Sequence, residues 1–153
     1  MRLVLQRVSR AEVAAEGRVT GRIGRGLLVL LAAERGDDEA VAQEAASKVA
    51  GLRVFEDEAG KMNRDLAAVE GSALVVSQFT LAADLSGGRR PGLERALPPE
   101  EARALYERFV RSLRGMGLPV ETGEFGARMQ VSLVNEGPAT FLLEIGPKGR
   151  LRE

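Results

Sequence analysis

The chain has 153 residues, 22 basic and 22 acidic side chains, 44% apolar residues, and no cysteine or histidine. This composition is typical of one globular domain rather than a disordered chain. It excludes disulfides, thiol nucleophiles, zinc sites built from cysteine and histidine, and a Ser-His-Asp triad. If the protein is an enzyme, its proton transfers use carboxylates, hydroxyls, lysines, backbone groups, water or a group on the substrate.

Neither hydropathy nor charge indicates export or a membrane partner. The longest apolar run, Leu27 to Ala33, is too short to span a bilayer. The opening MRLVLQRVSR alternates apolar and polar residues and lacks the core of a signal peptide, so we expect a cytoplasmic protein. A protein that coats long nucleic acids usually has a basic excess, whereas one that grips only the end of an RNA needs none.

Alternating apolar residues predict the first strands. One strand is expected over residues 2–8, and a hairpin joins Ala11–Ala15 to Val19–Ile23 through the turn Glu16-Gly17-Arg18. The run from Leu27 to Ala33 is typical of a central strand covered on both faces. Further strands are expected at Leu52–Glu56, Ala73–Ala82, Val120, Met129–Val134 and Ala139–Ile145.

Two helices are predicted from the residues at their ends. The first begins after Asp37 and Asp38 and ends at Gly51, and the second begins at Pro99 and ends at Gly115. The sequence therefore predicts one α+β domain over residues 1–153, with about seven or eight mostly antiparallel strands and two helices.

The stretch VNEGPATF, at residues 134–141, separates the last two predicted strands. Asn135, Glu136 and Gly137 are turn formers, but Pro138 lacks the N–H group that a sheet requires. A plain hairpin turn favours Asn-Gly without a proline. The segment is therefore either an awkward turn or a rigid piece of backbone that is presented to a ligand or partner.

The polar residues of SQFTL, at residues 77–81, interrupt an apolar strand. Buried polar groups cost free energy unless they are hydrogen-bonded, so either the strand ends here in water or these groups form the floor of a pocket. Thr140 is either a structural β-branched residue or part of the same site. Without histidine, neither Ser77 nor Thr140 has an activating base of that kind, which favours binding over covalent attack.

Two other groups of charged residues are candidates of a different kind. The loop Gly87–Gly92 (GGRRPG) has no P-loop context, so Arg89 and Arg90 either contact a phosphate or mark a solvated loop. The scattered carboxylates lack EF-hand spacing and leave a magnesium site unsupported; they are Asp57, Glu58, Asp65 and Asp84.

The motifs SQFTL at 77–81 and NEGPAT at 135–140 resemble the signature pair of the D-aminoacyl-tRNA deacylase family. The similarity continues in order along essentially the whole chain, through the segments MRLVLQRVSRAEV, GRIGRGLLVLL, LRVFEDEAGKMNRDL, GRRP, LYERFV and VETGEFGARMQVSLVNEGP.

This resemblance implies a cytoplasmic, homodimeric enzyme with a barrel-like α+β fold and no cofactor or catalytic metal. Its substrate would be the aminoacylated 3′ end of tRNA, and it would hydrolyse the ester of a D-amino acid, or of mischarged glycine, while rejecting L-aminoacyl-tRNA. No DNA partner is implied. The tRNA 2′-hydroxyl would assist catalysis, which fits the missing histidine.

The resemblance also implies the residues of the site. The Gly137-Pro138 bond would be cis and would enter the partner subunit's active site, where it forms a wall that an L side chain strikes. Arg7 would brace this element, and backbone N–H groups near Ser77–Phe79 would bind an oxyanion. The implied catalytic residues are Ser77, Gln78, Phe79 and Thr140. The implied substrate contacts are Gly137, Pro138, Arg7, Met129, Arg89 and Arg90.

Three departures from the family pattern lie in or beside the motifs. Valine commonly stands at Ala139, tyrosine at Ala82, and Ser-Phe at Gly92-Leu93, which concerns the shape of the pocket and the packing of the loop. A non-catalytic module that holds a tRNA acceptor end or a small polar ligand remains the alternative. Composition does not separate the two.

Overall fold

The computed structural model describes residues 1–147. Its elements in chain order are β1 Arg2–Ala15, β2 Arg18–Ile23, β3 Gly26–Ala32, α1 Glu39–Gly51, β4 Phe55–Glu56, β5 Met62–Arg64, β6 Ser72–Ser77, a 3₁₀ helix Phe79–Ala82, α2 Pro99–Gly115, β7 Val120–Thr122 and β8 Met129–Glu144. The predicted domain over residues 1–153 also includes 148–153, which lie outside the described residues.

Six of the strands form one sheet around β1. The order β2-β1-β3-β6-β7 gives one path, and β8 pairs with β1 along nearly its whole length. Strand β6 runs parallel to both β3 and β7, so the sheet is mixed, although the pairs that involve β1 are antiparallel. The predicted α+β class with two helices is therefore confirmed. The sheet is mixed rather than mostly antiparallel, because β6 pairs in parallel with both of its neighbours.

The sheet curves until its ends approach each other at Gly21 of β2. A Cβ atom on Gly21 would lie only 2.6 Å from the carbonyl oxygen of Thr122 in β7. Glycine is needed here because any side chain would push the two strand ends apart. The close approach makes the sheet a nearly closed barrel.

Both predicted helices are present, and their ends explain why. The Asp38 side chain accepts a hydrogen bond from Val41 N at 2.9 Å and caps α1. Pro99 is the first residue of α2, where its missing N–H costs nothing. Phe109 and Leu113 of α2 are fully buried in the main core, and each contributes about 1.5–3 kcal/mol by its burial.

Two strand predictions were wrong in their length. The strand predicted over Ala73–Ala82 ends at Ser77, after which the chain forms the 3₁₀ helix. The strand predicted over Leu52–Glu56 shrinks to Phe55–Glu56, which pairs with Met62–Arg64 in a separate two-stranded sheet. Apolar residues continue beyond both observed strands, at Leu81 and Ala82 after β6 and at Leu52 and Val54 before β4, so apolar character alone does not mark the strand ends.

The two strands predicted at Met129–Val134 and Ala139–Ile145 are parts of one strand, β8, so VNEGPATF is not a turn that separates them. Gln6 pairs with Thr140 and Val8 with Asn135, so β8 advances five residues while β1 advances two. Residues 136–139 therefore leave the ladder, and we call them the Gly-Pro excursion. Residues 2–8 and Ala11–Ala15 are likewise parts of one strand, β1, which passes the excursion without a break.

Candidate active site

A cavity of about 680 Å³ lies at the carboxyl ends of the parallel strands β3 and β6. Ser77, Gln78 and Phe79 line it, together with Met129 and Val131 of β8. Ligands commonly bind outside the carboxyl ends of parallel strands, because the chain there leaves the sheet and exposes polar backbone groups. Four of the predicted site residues thus share one cavity.

The backbone bends sharply between β6 and the 3₁₀ helix. Gln78 N donates to the carbonyl oxygen of Leu31 at 2.8 Å, which ties this bend to β3. The N–H groups of Phe79 and Thr80 are the first two of the 3₁₀ helix, so neither has an acceptor inside it. The Gln78 side-chain amide donates to the Thr80 hydroxyl. The bend therefore combines two backbone donors with an amide and a hydroxyl beside the cavity.

The remaining lining of the cavity is mostly apolar and includes Tyr106 and Phe125. These two rings lie 5.6 Å apart, centroid to centroid. The Tyr106 hydroxyl donates to the carbonyl oxygen of Val75 at 2.9 Å, and burial raises the pKa of Tyr106 to about 12. At neutral pH the phenol is uncharged and its proton is engaged, so it supplies shape rather than a general base.

The segment 93–97 closes another side of the cavity and is held to the end of β3. Leu97 N donates to the carbonyl oxygen of Ala33 at 3.1 Å. Glu34, which is only 1% exposed, makes ion pairs with Arg95 at 3.4 Å and with Arg2 at 3.2 Å. This segment is part of the wall through Leu93, Ala96 and Leu97.

The Gly-Pro excursion lies away from this cavity in the same chain. Gly137 borders a different cavity, of about 360 Å³, together with Arg7. The Gly137-Pro138 peptide is cis, as the resemblance implies. Gly137, Pro138 and Thr140 are all exposed. The structure therefore separates the predicted residues into one group at the 680 Å³ cavity and another at the excursion.

Arg7 is buried and binds the backbone of the excursion through its guanidinium. Its Nε donates to the carbonyl oxygen of Glu136 at 2.9 Å, and its Nη1 donates to the carbonyl oxygen of Val54 at 2.7 Å. Its Nη2 lies 4.0 Å from the Glu56 carboxylate. Because the guanidinium fork contacts both segments, it fixes the excursion relative to the chain before β4.

Asn135 was considered from the sequence only as a turn former and was not among the predicted site residues. Its Oδ1 accepts from Ala139 N at 2.6 Å, and its Nδ2 donates to the Thr140 hydroxyl at 2.9 Å. The side chain therefore spans the two ends of the excursion. Asparagine side chains often hydrogen-bond backbone groups a few residues further along the chain, and this property could have indicated the role of Asn135. The same property is common in turns, so it did not distinguish the two cases.

The charged candidates have simpler surroundings. Arg89 and Arg90 are exposed in the loop between the 3₁₀ helix and α2. Asp57 accepts from Lys61 N at 3.0 Å and Asp84 from the Ser86 hydroxyl at 2.6 Å, and these bonds lower the pKa of both carboxyls. Within residues 1–147, no three Asp, Glu, His or Cys side chains form a group that could hold a metal ion.

Comparison with known proteins identifies the family. A family model described as D-Tyr-tRNA(Tyr) deacylase matches residues 4–144. This chain belongs to that family. Curated proteins named D-aminoacyl-tRNA deacylase from Paracoccus denitrificans and Thermomicrobium roseum are 59% and 58% identical to it over 144 residues. These matches cover 94% of this chain, and 97% and 94% of the two relatives.

Solved structures show the same fold. One described as "c-Myc DNA Unwinding Element Binding Protein" has a TM-score of 0.88 and 39% identity, over 94% of this chain and 98% of that one. Another, described as a probable eukaryotic D-amino acid tRNA deacylase, has a TM-score of 0.79 and 20% identity, over 92% and 97%. Membership in the deacylase family makes the chain a hydrolase and disfavours a purely binding module. Across residues 1–147 we find no helix with the length and apolarity to cross a membrane.

Proposed function

We propose that this protein hydrolyses the ester that joins a D-amino acid, or mischarged glycine, to the 3′-terminal adenosine of tRNA, and that it rejects L-aminoacyl-tRNA. Its relatives named D-aminoacyl-tRNA deacylase match nearly the whole chain, which supports the reaction. The observation that carries the assignment of the site is the bend Ser77-Gln78-Phe79 in the cavity at the ends of β3 and β6.

The chemistry assigns the protein a role in binding and charge stabilisation. Water adds to the ester carbonyl, and the N–H groups of Phe79 and Thr80 stabilise the resulting oxyanion. The bond to the 3′-oxygen then breaks, and the neighbouring 2′-hydroxyl gives its proton to that oxygen while it takes one from the attacking water. This route needs no histidine, which the chain lacks. Ser77 and Thr140 position the substrate and do not form an acyl-enzyme.

Stereochemical selection comes from a second copy of the chain. In a homodimer, the exposed Gly137-Pro138 of one subunit enters the partner's cavity and presents its backbone near the substrate's α-carbon. An L side chain collides with this wall, whereas a D side chain points away and glycine has none. Two observations support this role of the excursion: Gly137 and Pro138 are exposed, and Arg7 and Asn135 hold the segment by hydrogen bonds.

The remaining assignments concern the whole protein. Met129 contacts the substrate from the cavity wall, and Arg89 and Arg90 contact phosphates of the acceptor end. We assign one deacylase domain to the whole chain, over residues 1–153, and a cytoplasmic location, since its tRNA substrate is used there. A DNA ligand is not proposed, because the net charge of zero lacks the basic excess of an extended duplex-binding surface.

The test is a deacylation assay with D-Tyr-tRNA and L-Tyr-tRNA, each with and without EDTA. We expect release of D-tyrosine in both buffers and little release of L-tyrosine. A matched D-Tyr-tRNA that carries 2′-deoxyadenosine at its 3′ end should react far more slowly. Equal rates on the D and L substrates would exclude the proposed selection. Activity that EDTA abolishes and only a divalent ion restores would exclude the metal-free route.

A further inference from the structure

Arg103, in the first half of α2, lies against the wall of the cavity at the ends of β3 and β6. Its guanidinium carbon is 4.9 Å from the centroid of the Phe125 ring, and both Phe125 and the adjacent Ala102 line that cavity. Arg103 itself is exposed. A guanidinium over an aromatic face is attracted by the ring, which restricts where the side chain lies. This places a cation beside the cavity.

The hydrogen-bond donors of Arg103 remain available to a ligand. Within residues 1–147, Arg103 forms no ion pair and donates no hydrogen bond to another residue, whereas two other arginines of α2 are engaged. Arg108 donates to the Gln43 side chain at 3.0 Å, and Arg114 donates to the carbonyl oxygen of Val120 at 2.9 Å. A contact with a ring face uses none of the five N–H donors of a guanidinium. The edge of the Arg103 fork is therefore free.

We propose that Arg103 binds a backbone phosphate of the tRNA 3′ end, next to the nucleotide whose ester enters the cavity. This inference rests on the proposed function and adds a specific contact to it. A guanidinium matches a phosphate with two parallel N–H···O bonds, which a point charge such as lysine does not reproduce. Phe125 holds the fork in place for this contact.

The chemistry of the substrate leaves the phosphate as the partner of Arg103. An aminoacyl ester has no free carboxylate, and its α-amino group is a cation that Arg103 would repel. The phosphodiester groups are the anions of the 3′ end. Since Arg103 lies beside Phe125, the RNA backbone must pass this side of the cavity when its terminal ester lies near Ser77. Arg103 thus sets the direction from which the strand approaches.

Two substrates that differ in phosphate content test this contact. One is D-Tyr-tRNA, and the other is the 3′ ester of D-tyrosine with adenosine, which has no phosphate. The variants are Arg103→Ala and Arg103→Lys, with Arg111→Ala as the control. Arg111 is an exposed arginine of the same helix, two turns further from the cavity, and its replacement removes the same charge. Thermal unfolding of each variant checks that the fold is intact.

We expect Arg103→Ala to raise KM for D-Tyr-tRNA about tenfold with little change in kcat, as loss of a charged hydrogen bond would. It should reduce the slope of log KM against log salt by about 0.7, the value for one single-strand phosphate contact. Arg103→Lys should recover part of the affinity, since it keeps the charge and loses the fork. Both variants, and Arg111→Ala, should hydrolyse D-tyrosyl-adenosine as the unmodified protein does.

Other results would overturn the inference. An equal loss on both substrates would mean that Arg103 acts through the shape of the cavity rather than on a phosphate. No loss on either, or the same loss in Arg111→Ala, would remove any specific role for Arg103. If the unmodified protein hydrolyses neither ester, the proposed function itself fails and the inference fails with it. That outcome is recognisable because it needs no variant.

Discussion

Arg7 lies so close to Gly137 that a Cβ atom on that glycine would be 2.8 Å from Arg7 Nη2. The same guanidinium donates to the carbonyl oxygen of the preceding residue, Glu136, at 2.9 Å. A buried cation on β1 and a glycine on β8 therefore occupy positions that depend on each other. The absence of a side chain at Gly137 lets the guanidinium reach the backbone of the excursion.

Replacing Gly137 with alanine should damage both the fold and the activity. Its φ of +139° is a conformation that L side chains rarely adopt, and the methyl group would also lie 3.1 Å from Ala139 N. We expect a loss of about 1–3 kcal/mol in the free energy of unfolding and a strong loss of D-Tyr-tRNA hydrolysis, measured by urea denaturation and by the deacylation rate.

Gly24→Ala is the matched control for this change. Gly24 has open space around its Cβ position and no positive φ. Alanine there should change the free energy of unfolding by no more than about 0.5 kcal/mol and leave the deacylation rate unchanged. Full activity in Gly137→Ala would show that the tip of the excursion does not approach the substrate.

Replacing Arg7 with lysine should release the excursion although the charge is kept. Lysine cannot donate to the carbonyl oxygens of Glu136 and Val54 in the geometry of the fork. A buried carbonyl that loses its donor costs about 1–3 kcal/mol, so urea unfolding should report a loss of that size. The ratio of the deacylation rates on D- and L-Tyr-tRNA should also fall, and this fall, expressed as a free energy, should exceed the loss of stability. Arg10→Lys, at an exposed position, should leave both unchanged.

The stability of the protein should fall at alkaline pH because Tyr106 loses its proton there. Its pKa is about 12 in the folded protein and about 10 when unfolded, so between these values the unfolded state binds fewer protons. The contribution is complete below about pH 10 and is lost as pH rises toward 12, by up to about 1.4 kcal/mol per pH unit. Urea unfolding at several alkaline pH values should show a steeper decline for the unmodified protein than for Tyr106→Phe.

The same residue can be observed directly, because the chain has one tyrosine and no tryptophan. Phenolate absorbance should therefore titrate near pH 12 in the folded protein and near pH 10 in urea. A folded-state titration near pH 10 would contradict the burial of this hydroxyl. At neutral pH, Tyr106→Phe should cost about 1 kcal/mol, since the carbonyl oxygen of Val75 still accepts from Gly123 N at 3.2 Å.

The basic loop offers a separate test of RNA contact. If Arg89 and Arg90 bind phosphates, replacing both with alanine should weaken tRNA binding and lower its salt slope by about 0.7–0.9 for each lost contact. Filter binding at several salt concentrations measures this. The double variant Arg18→Ala with Arg111→Ala removes the same charge elsewhere and should change the slope less. Equal slopes in the two double variants would show that the loop acts only through net charge.

The helices could be predicted from sequence because their signals are local. A capping aspartate at Asp38 and a proline at Pro99 act on the few residues beside them. The end of β6 was left undecided, since the polar residues of SQFTL allowed either a strand end or a pocket floor, and apolar residues continue to Ala82 in the 3₁₀ helix. The short β5 has polar residues and forms only by pairing with β4.

The candidate site shows the same division. The polar interruption at residues 77–81 left open a strand end in water or a pocket floor, and the structure has both a strand end and a cavity there. At Gly137 the sequence left open a turn or a rigid presented segment, because a turn and a bulge contain the same residues and differ only in how β1 pairs opposite them. In the sequence of α2, Tyr106 stands at helical spacing with Phe109 and Leu113, and periodicity does not tell a core residue from a cavity wall.

The length of the excursion obeys a parity condition. Gln6 pairs with Thr140 and Arg10 with Val134, so between these two pairs β8 advances six residues while β1 advances four. The surplus of two is even, and side chains before and after the excursion therefore keep the faces that an unbroken ladder would give them. Removing one residue would exchange Leu133 with its more exposed neighbours, whereas removing two would leave the inward faces intact and erase the protrusion. The excursion can thus lengthen or shorten only in steps of two without cost to the barrel, which allows its length to vary independently of the scaffold.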